Sequence, residues 1–469
     1  MLKFPGGTIV LVVVALLKQD GGVLGLTPPS ASTNHLKRHS PSSGGLQTLS
    51  LKQDTSLNMS LDTSSIKTME DLMYGPMTWN TVIGEADRAF RQGLQLDKTG
   101  QPRAAHNAYH EAATLYQCYL DMEDTFGYVT NLSQSEIPSL LSYILVRLAY
   151  CNMDALSDPK AAIRLYTLAS KIDPKPSSVS FKGIGTALEA AGGNGEDLEH
   201  LKEAVKAYEK SLDQTDTPSC QFAMAVAKER LGDTEEAEKI LENLQRNEAF
   251  VSCLVDSWGY VRWHTRKVPP AQLNLHRGTR DMLKLALDAA MPLIEQQRVD
   301  PKYGLVCEFG VKSGRSLRMT QELLPLDIKI SGFDTFTGLP QPWGNQPAGY
   351  HSTGGVVPNM EGDNVYFHKG LFSETIGPFL EDLGPDAFLA YANIDCELYT
   401  STLDILEAFH GRIVKGTILI FDEYICHPTW RQDEFRAWRE CCKRFGWKYE
   451  YLGFSLATKQ TVVRITDAG

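Results

Sequence analysis

Three acidic residues directly follow apolar runs late in the chain: Asp395 after FLAYANI, and Asp422 with Glu423 after GTILIF. Such runs suit buried parallel strands, and in an open α/β sheet the carboxyl ends of those strands share the edge where ligands bind. Like charges gathered in a low-dielectric cleft repel strongly, so the set persists only with a cation or with shifted protonation. Oxygen ligands alone suit Mg²⁺ or Ca²⁺ rather than zinc. A divalent ion on Asp395, Asp422 and Glu423 can bind a hydroxyl, lower its pKa and orient it, while Asp395 takes the proton. Taken singly, each acid is as readily a solvated strand end or a helix cap. The signal lies in the set.

A second constellation precedes it. The run YGLVCEFGV ends in Glu308, Gly310, Ser313, Gly314 and Ser316. Glycines there let the backbone approach a ligand closely, and the free amides of the helix that follows face it. Asp334 closes the next run, KISGFD, about twenty residues past Gly314, where a carboxylate can accept both hydroxyls of a ribose. An adenosine-bearing ligand is implied. Neither G-x-G-x-x-G nor a phosphate-binding P-loop is present, so NAD and ATP fit less well than S-adenosylmethionine. Its sulfonium can meet Glu308 and its carboxylate the glycine amides.

These residues need a frame. After Pro269 the sequence alternates strand and helix patterns, the signature of a doubly wound parallel sheet. A helix is expected at 279–297, then strands at 303–311, 329–334, 364–370, 388–396 and 416–424. Helices at 379–383, 402–409 and 434–445 and two closing strands at 447–454 and 461–465 complete it. Seven strands with the last two antiparallel make the α/β plan of class I methyltransferases, a Rossmann-like sheet.

Five segments in this order, EFGVKSGRSL, GFDTFTGLP, IDCELYTST, FDEY and WRQDEFRAW, resemble the macrocin O-methyltransferase family over about residues 275–467. The resemblance implies a Mg²⁺-requiring, S-adenosylmethionine-dependent enzyme that methylates a sugar hydroxyl. It places Glu308, Gly310, Ser313, Gly314 and Ser316 around the donor, Asp334 and Thr335 at its ribose, and Gly370 and Phe372 near the adenine. Asp395 becomes metal ligand and base, Asp422 and Glu423 complete the metal site, and 338–361 with His351 forms a lid. Two departures stand out: Glu423 and Glu397 replace aspartates frequent in the family.

The first half carries no catalytic constellation. Between about 85 and 245 it resembles a degenerate tetratricopeptide array, with small residues where helices cross and an aromatic filling the groove. Gly93, Ala105 and Tyr109 mark one copy, Ala162, Tyr166 and Ala169 a second, Ala204 and Tyr208 a third, and Gly232, Ala237 and Leu241 a fourth. Such an array suits a partner protein, a second subunit or substrate recruitment.

Thr8 to Leu17 is too short to span a bilayer and looks like the apolar core of a signal or targeting peptide. The expected organisation is a leader at 1–25, a Ser/Thr-rich disordered linker at 26–78, repeats at 79–250, a connecting segment at 251–274 and the methyltransferase domain at 275–469. The leader points to the secretory pathway or an organelle; without it the chain would be cytoplasmic. Asn58-Met-Ser60 and Asn131-Leu-Ser133 are compatible with secretory entry.

Among 469 residues, 46 basic and 57 acidic ones give a net charge of −11, which argues against nucleic acid as a partner. Nine cysteines in so long a chain are read mostly as buried or free thiols. Two other readings use the same residues: a phenol or catechol acceptor, and a repeat scaffold whose methyltransferase-like domain does not turn over.

Overall fold

The structure, a computed structural model, describes residues 79–126, 136–173, 177–192, 198–247 and 249–469. The leader, the Ser/Thr-rich stretch and both Asn-x-Ser tripeptides lie outside them. Among the described residues no helix is long and apolar enough to cross a membrane. None of the nine cysteines is in a disulfide, and eight of them are buried.

The first half is helical: α1 (Trp79–Lys98), α2 (Pro102–Phe126), α3 (Glu136–Cys151), α4 (Pro159–Ile172), α5 (Ser178–Ala191), α6 (Glu199–Gln214), α7 (Pro218–Leu231), α8 (Thr234–Asn247) and α9 (Ala249–Thr265). Each packs on the next, as short connections require. The glycine and tyrosine positions explain the close approach. A Cβ at Gly93 would lie 2.6 Å from the Tyr109 ring, one at Gly183 2.6 Å from Tyr166, and one at Gly185 2.4 Å from Tyr208. Any side chain there would push neighbouring helices apart.

Residues 251–274, expected to be a connecting segment, are largely α9. Its apolar residues surround the helix instead of forming one stripe, because α9 meets α7 and α8 as well as the sheet domain. Trp258 and Val261 are buried in the same apolar core as Phe309, Trp430 and Phe454. The two halves therefore share a core.

The second half begins with α10 (Thr279–Ile294), then β1 (Leu305–Phe309), α11 (Arg315–Leu323), β2 (Ile330–Asp334), β3 (Val365–Lys369), α12 (Phe372–Leu383), β4 (Leu389–Ile394) and α13 (Tyr399–Ala408). It ends with β5 (Ile413–Phe421), α14 (Glu434–Phe445), β6 (Lys448–Phe454) and β7 (Thr461–Asp467). The seven strands lie in the order β3-β2-β1-β4-β5-β7-β6. β1 to β5 are parallel, and β7 runs antiparallel to both neighbours. This is the expected methyltransferase sheet. β1, β4 and the strand-five run are buried because helices cover both faces, which is why their sequences are almost uniformly apolar. The chain winds outward from β1 to β3 and then returns to β4 on the other side of β1. The crevice for a ligand lies at that reversal, between the carboxyl ends of β1 and β4.

Candidate active site

Phe309 pairs with Ile394 in the register of β1 and β4, so the residues just beyond them, Gly310 and Asp395, are neighbours. The Asp395 N–H donates to Phe309 O at 2.8 Å. Gly310 has φ +94°, and a Cβ there would sit 1.6 Å from the carbonyl oxygen of Asp395. Only glycine permits both the conformation and the approach.

The loop beyond Gly310 is held by Asp334. One Asp334 oxygen accepts the Lys312 N–H at 2.6 Å and the other the Phe336 N–H at 2.6 Å, which ties the glycine loop to the turn after β2. A carboxylate keeps further lone pairs, so ribose hydroxyls can still be accepted. Gly370 N–H donates to Asp334 O at 3.0 Å, which brings the end of β3 to the same rim. Gly310, Ser313, Ser316, Asp334, Thr335, Gly370 and Phe372 all line one cavity. Glu308 and Gly314 lie behind its wall. Glu308 is 1% exposed and reaches the cavity through Ser316, whose hydroxyl donates to it at 2.9 Å; Asn393 donates to its other oxygen at 3.2 Å. Burial pushes the Glu308 carboxyl up to about 8.

Asp395, Asp422, Glu423 and Glu397 line the same cavity. Burial, then the neighbouring Asp422, raises the Asp395 carboxyl well above the carboxylate range. Burial raises Asp422 as well, although Gln460 donates to it at 2.6 Å. Glu397 is pushed up to about 8 by burial and by Glu423. Glu423, expected as the third metal ligand, instead accepts the Lys459 ammonium through both oxygens, at 3.1 and 3.0 Å, while burial takes its carboxyl to about 7. Among the described residues no three such side chains are already arranged to hold a metal. The chemistry of the set nonetheless suits a hard cation: Asp395 and Asp422 are acids that burial and mutual repulsion destabilise as anions.

Sequence reasoning missed Lys459 and Gln460, because the β6–β7 turn carries no motif. It also missed Glu434 on α14, which accepts the Glu423 N–H at 3.1 Å. His351 reaches the site from the 338–361 segment. Its Nδ1 lies 2.8 Å from Lys312 Nζ and its Nε2 3.5 Å from Glu397. Burial and the Lys312 charge hold this imidazole at about 4, so it is neutral at physiological pH and its Nδ1 can accept a hydrogen bond from Lys312 Nζ. Among the described residues, four of the seven non-glycine residues with positive φ, Lys312, His351, Glu397 and Lys459, stand on the cavity wall. Strain of this kind collects where geometry is over-determined by its surroundings.

The helical half holds the glycine loop from outside. Asp154, in the turn after α3, forms a buried ion pair with Arg315 and accepts the Thr279 N–H at 3.0 Å and its hydroxyl at 2.7 Å. It thereby caps α10, whose own N-cap, Gly278, has no side chain to do so. A Cβ at Gly278 would lie 2.1 Å from Met153 O, so the two segments touch backbone to backbone. Arg318 donates to Gly100 O at 2.9 Å and to Ser313 O at 2.7 Å, fastening the α1–α2 turn to the glycine loop.

No curated protein sequence matches the chain. Among solved structures it is similar to "CalS11, Calicheamicin Methyltransferase", with 24% identity over 49% of this chain and 93% of that one and a TM-score of 0.31. A second structure of CalS11, described as a TDP-rhamnose 3'-O-methyltransferase, gives 24% identity over 49% and 94%, with a TM-score of 0.28. "The O-methyltransferase NovP" gives 18% identity over 44% and 88%, with a TM-score of 0.30. Residues 358–444, which carry β3, β4, β5 and the acids at their ends, match the model of the macrocin-O-methyltransferase (TylF) family.

Proposed function

We propose that the protein is a Mg²⁺-dependent O-methyltransferase that uses S-adenosylmethionine to methylate a sugar hydroxyl, with the helical repeats recruiting the acceptor. One contact carries the reading: Gly310 packs against the backbone of Asp395, so the candidate base is fixed at the tip of the glycine loop. S-adenosylmethionine supplies the methyl group when bound, and Mg²⁺ supplies positive charge beside the acceptor hydroxyl. Asp395 and Asp422 would hold the cation. Glu423 joins them only by releasing Lys459.

The chain's own residues do the rest. Asp334 and Gly370 position the nucleoside end, and Ser316, backed by Glu308, shapes the floor beneath the reacting end. Burial and the neighbouring Asp422 raise the Asp395 carboxyl and so favour its protonated form, whereas a cation held by Asp395 and Asp422 would favour the anion. Asp395 then accepts the hydroxyl proton as the new O–C bond forms and the C–S electron pair returns to sulfur.

Calorimetry with S-adenosylmethionine, with and without Mg²⁺, tests this together with labelled methyl transfer to a panel of sugars and phenols. Expected are donor binding and transfer to sugars. Asp395→Asn should lower transfer at least about 10²-fold and leave donor affinity within a few fold. Absence of donor binding even with metal would overturn the enzyme reading. Transfer to phenols alone would replace the sugar acceptor, and donor binding without transfer to any acceptor would favour a scaffold.

A further inference from the structure

The cavity that holds Asp395 does not end at the methyltransferase domain. It has a volume of about 3090 Å³ and continues over α1, α3, the start of α5 and the turn before α7. Pockets for a single small ligand run to roughly 300–1,000 Å³, so one donor and one sugar unit leave most of it empty. Alternate helices are neighbours along this face. Arg147 on α3 pairs with Asp97 on α1, and Lys182 on α5 donates to Ser219 on α7 at 2.9 Å. Three interhelical steps of about 8–10 Å each make the face about 25–30 Å long.

Its chemistry narrows what can lie there. Gln95, Ser139, Ser178 and Thr215 present neutral amide and hydroxyl groups and Tyr143 an aromatic ring; the charges beside them are of both signs, Arg91 and Lys98 with Asp173 and the paired Arg147 and Asp97, and Trp343 adds a ring from the methyltransferase side. Among the described residues, the exposed large apolar side chains on the cavity wall are Tyr350, Val356 and Leu371, all from the methyltransferase side. Among the described residues the repeat face thus carries no large apolar side chain that is fully exposed. Hydroxyl and amide donors beside aromatic faces match a sugar, which pairs hydroxyl rims with apolar C–H faces. Nor is the face loosely tethered. The Arg318 bonds to Gly100 O and Ser313 O fix it to the donor loop, and a Cβ at Gly100 would lie 2.5 Å from Ser313 Oγ.

We propose that the acceptor is a neutral oligosaccharide chain: its methylated unit lies at Asp395, and its further units run along the repeat face of α1, α3 and α5. This rests on the sugar O-methyltransferase reading and adds the acceptor's length and path.

The test uses the full chain with Mg²⁺ and S-adenosylhomocysteine on an array of neutral and anionic oligosaccharides graded by length. Methyl transfer to the same sugars is measured in parallel. Affinity is expected to rise with the number of neutral units. Gln95→Trp, near the site, should weaken all but the shortest chains at least about tenfold, a loss of about 1.4 kcal/mol. Thr215→Trp, at the far end, should weaken only the longest. Donor affinity, staying within about twofold in both variants, reports that they fold. Four results overturn the inference and leave the methyltransferase reading standing: affinity independent of length, length dependence that neither tryptophan alters, binding only of anionic chains, or no bound glycan while simple sugars are methylated. Failure to methylate any sugar overturns the underlying reading and this inference with it.

Discussion

Removing the Asp154 carboxylate should both destabilise the protein and loosen its donor site. The side chain is 3% exposed and serves three donors, Arg315 and the N–H and hydroxyl of Thr279. Truncating one partner of a buried ion pair costs about 3–5 kcal/mol, because the other charge is left uncompensated. Arg315 keeps 29% of its side-chain surface and can hydrate in part, which favours the low end of that range. Loss of the cap on α10 contributes about 1 kcal/mol. Asp154→Ala should therefore cost about 4 kcal/mol, or about 5 °C in melting temperature. Asp154→Asn keeps an oxygen for Thr279 and should lose only the charge-dependent part. Burial alone would raise the Asp154 carboxyl, but Arg315 and the Thr279 donors outweigh it and hold it below its ordinary value. The contribution is thus complete at neutral pH and lost only as pH falls below about 4. Arg315 stands between Gly314 and Ser316, so releasing it should also raise the S-adenosylmethionine Kd about tenfold. Urea unfolding and calorimetry on the two variants measure both effects. An alanine variant with an unchanged urea midpoint and a Kd within twofold would refute the idea that the repeats brace the donor loop.

Gly310→Ala places a Cβ into Asp395 O at φ +94° and should cost about 3 kcal/mol or more, with donor binding lost by calorimetry; near-normal binding would mean the strand ends can separate freely. Glu308 carries its proton up to about pH 8, and a cationic donor favours its ionised form, so donor affinity should rise with pH by at most about tenfold per unit below 8. Glu308→Gln should flatten that dependence, and a flat wild-type profile would disconnect Glu308 from the donor. Lys459→Met removes the counter-ion of Glu423 and should lower the metal-free melting temperature while tightening Mg²⁺ binding about tenfold. Unchanged Mg²⁺ affinity would show that Glu423 is no ligand.

Much of this protein was legible locally. A run such as FLAYANI followed by aspartate marks a strand and what stands at its end, because burial on both faces demands uniformly apolar residues and the acid stops the run. The seven strands and the helices between them follow from such signals, and glycine–tyrosine spacing reports helix crossings in the first half. Where α9 lies, the sequence misled, since a helix buried on several sides has no single apolar stripe.

Tertiary structure alone decided which groups meet. Asp154 and Arg315 are 161 residues apart, and Lys459 lies 36 residues beyond Glu423. No local period encodes either pairing, because each depends on how independently formed elements pack. The same holds for protonation. Composition counts the acids, but only their burial beside one another raises the carboxyls of Asp395 and Asp422 above the ordinary range. The sequence determined the parts of a methyltransferase sheet and a helical array. Packing joined them through a shared apolar core and one cavity, so that the helical half became a wall of that cavity.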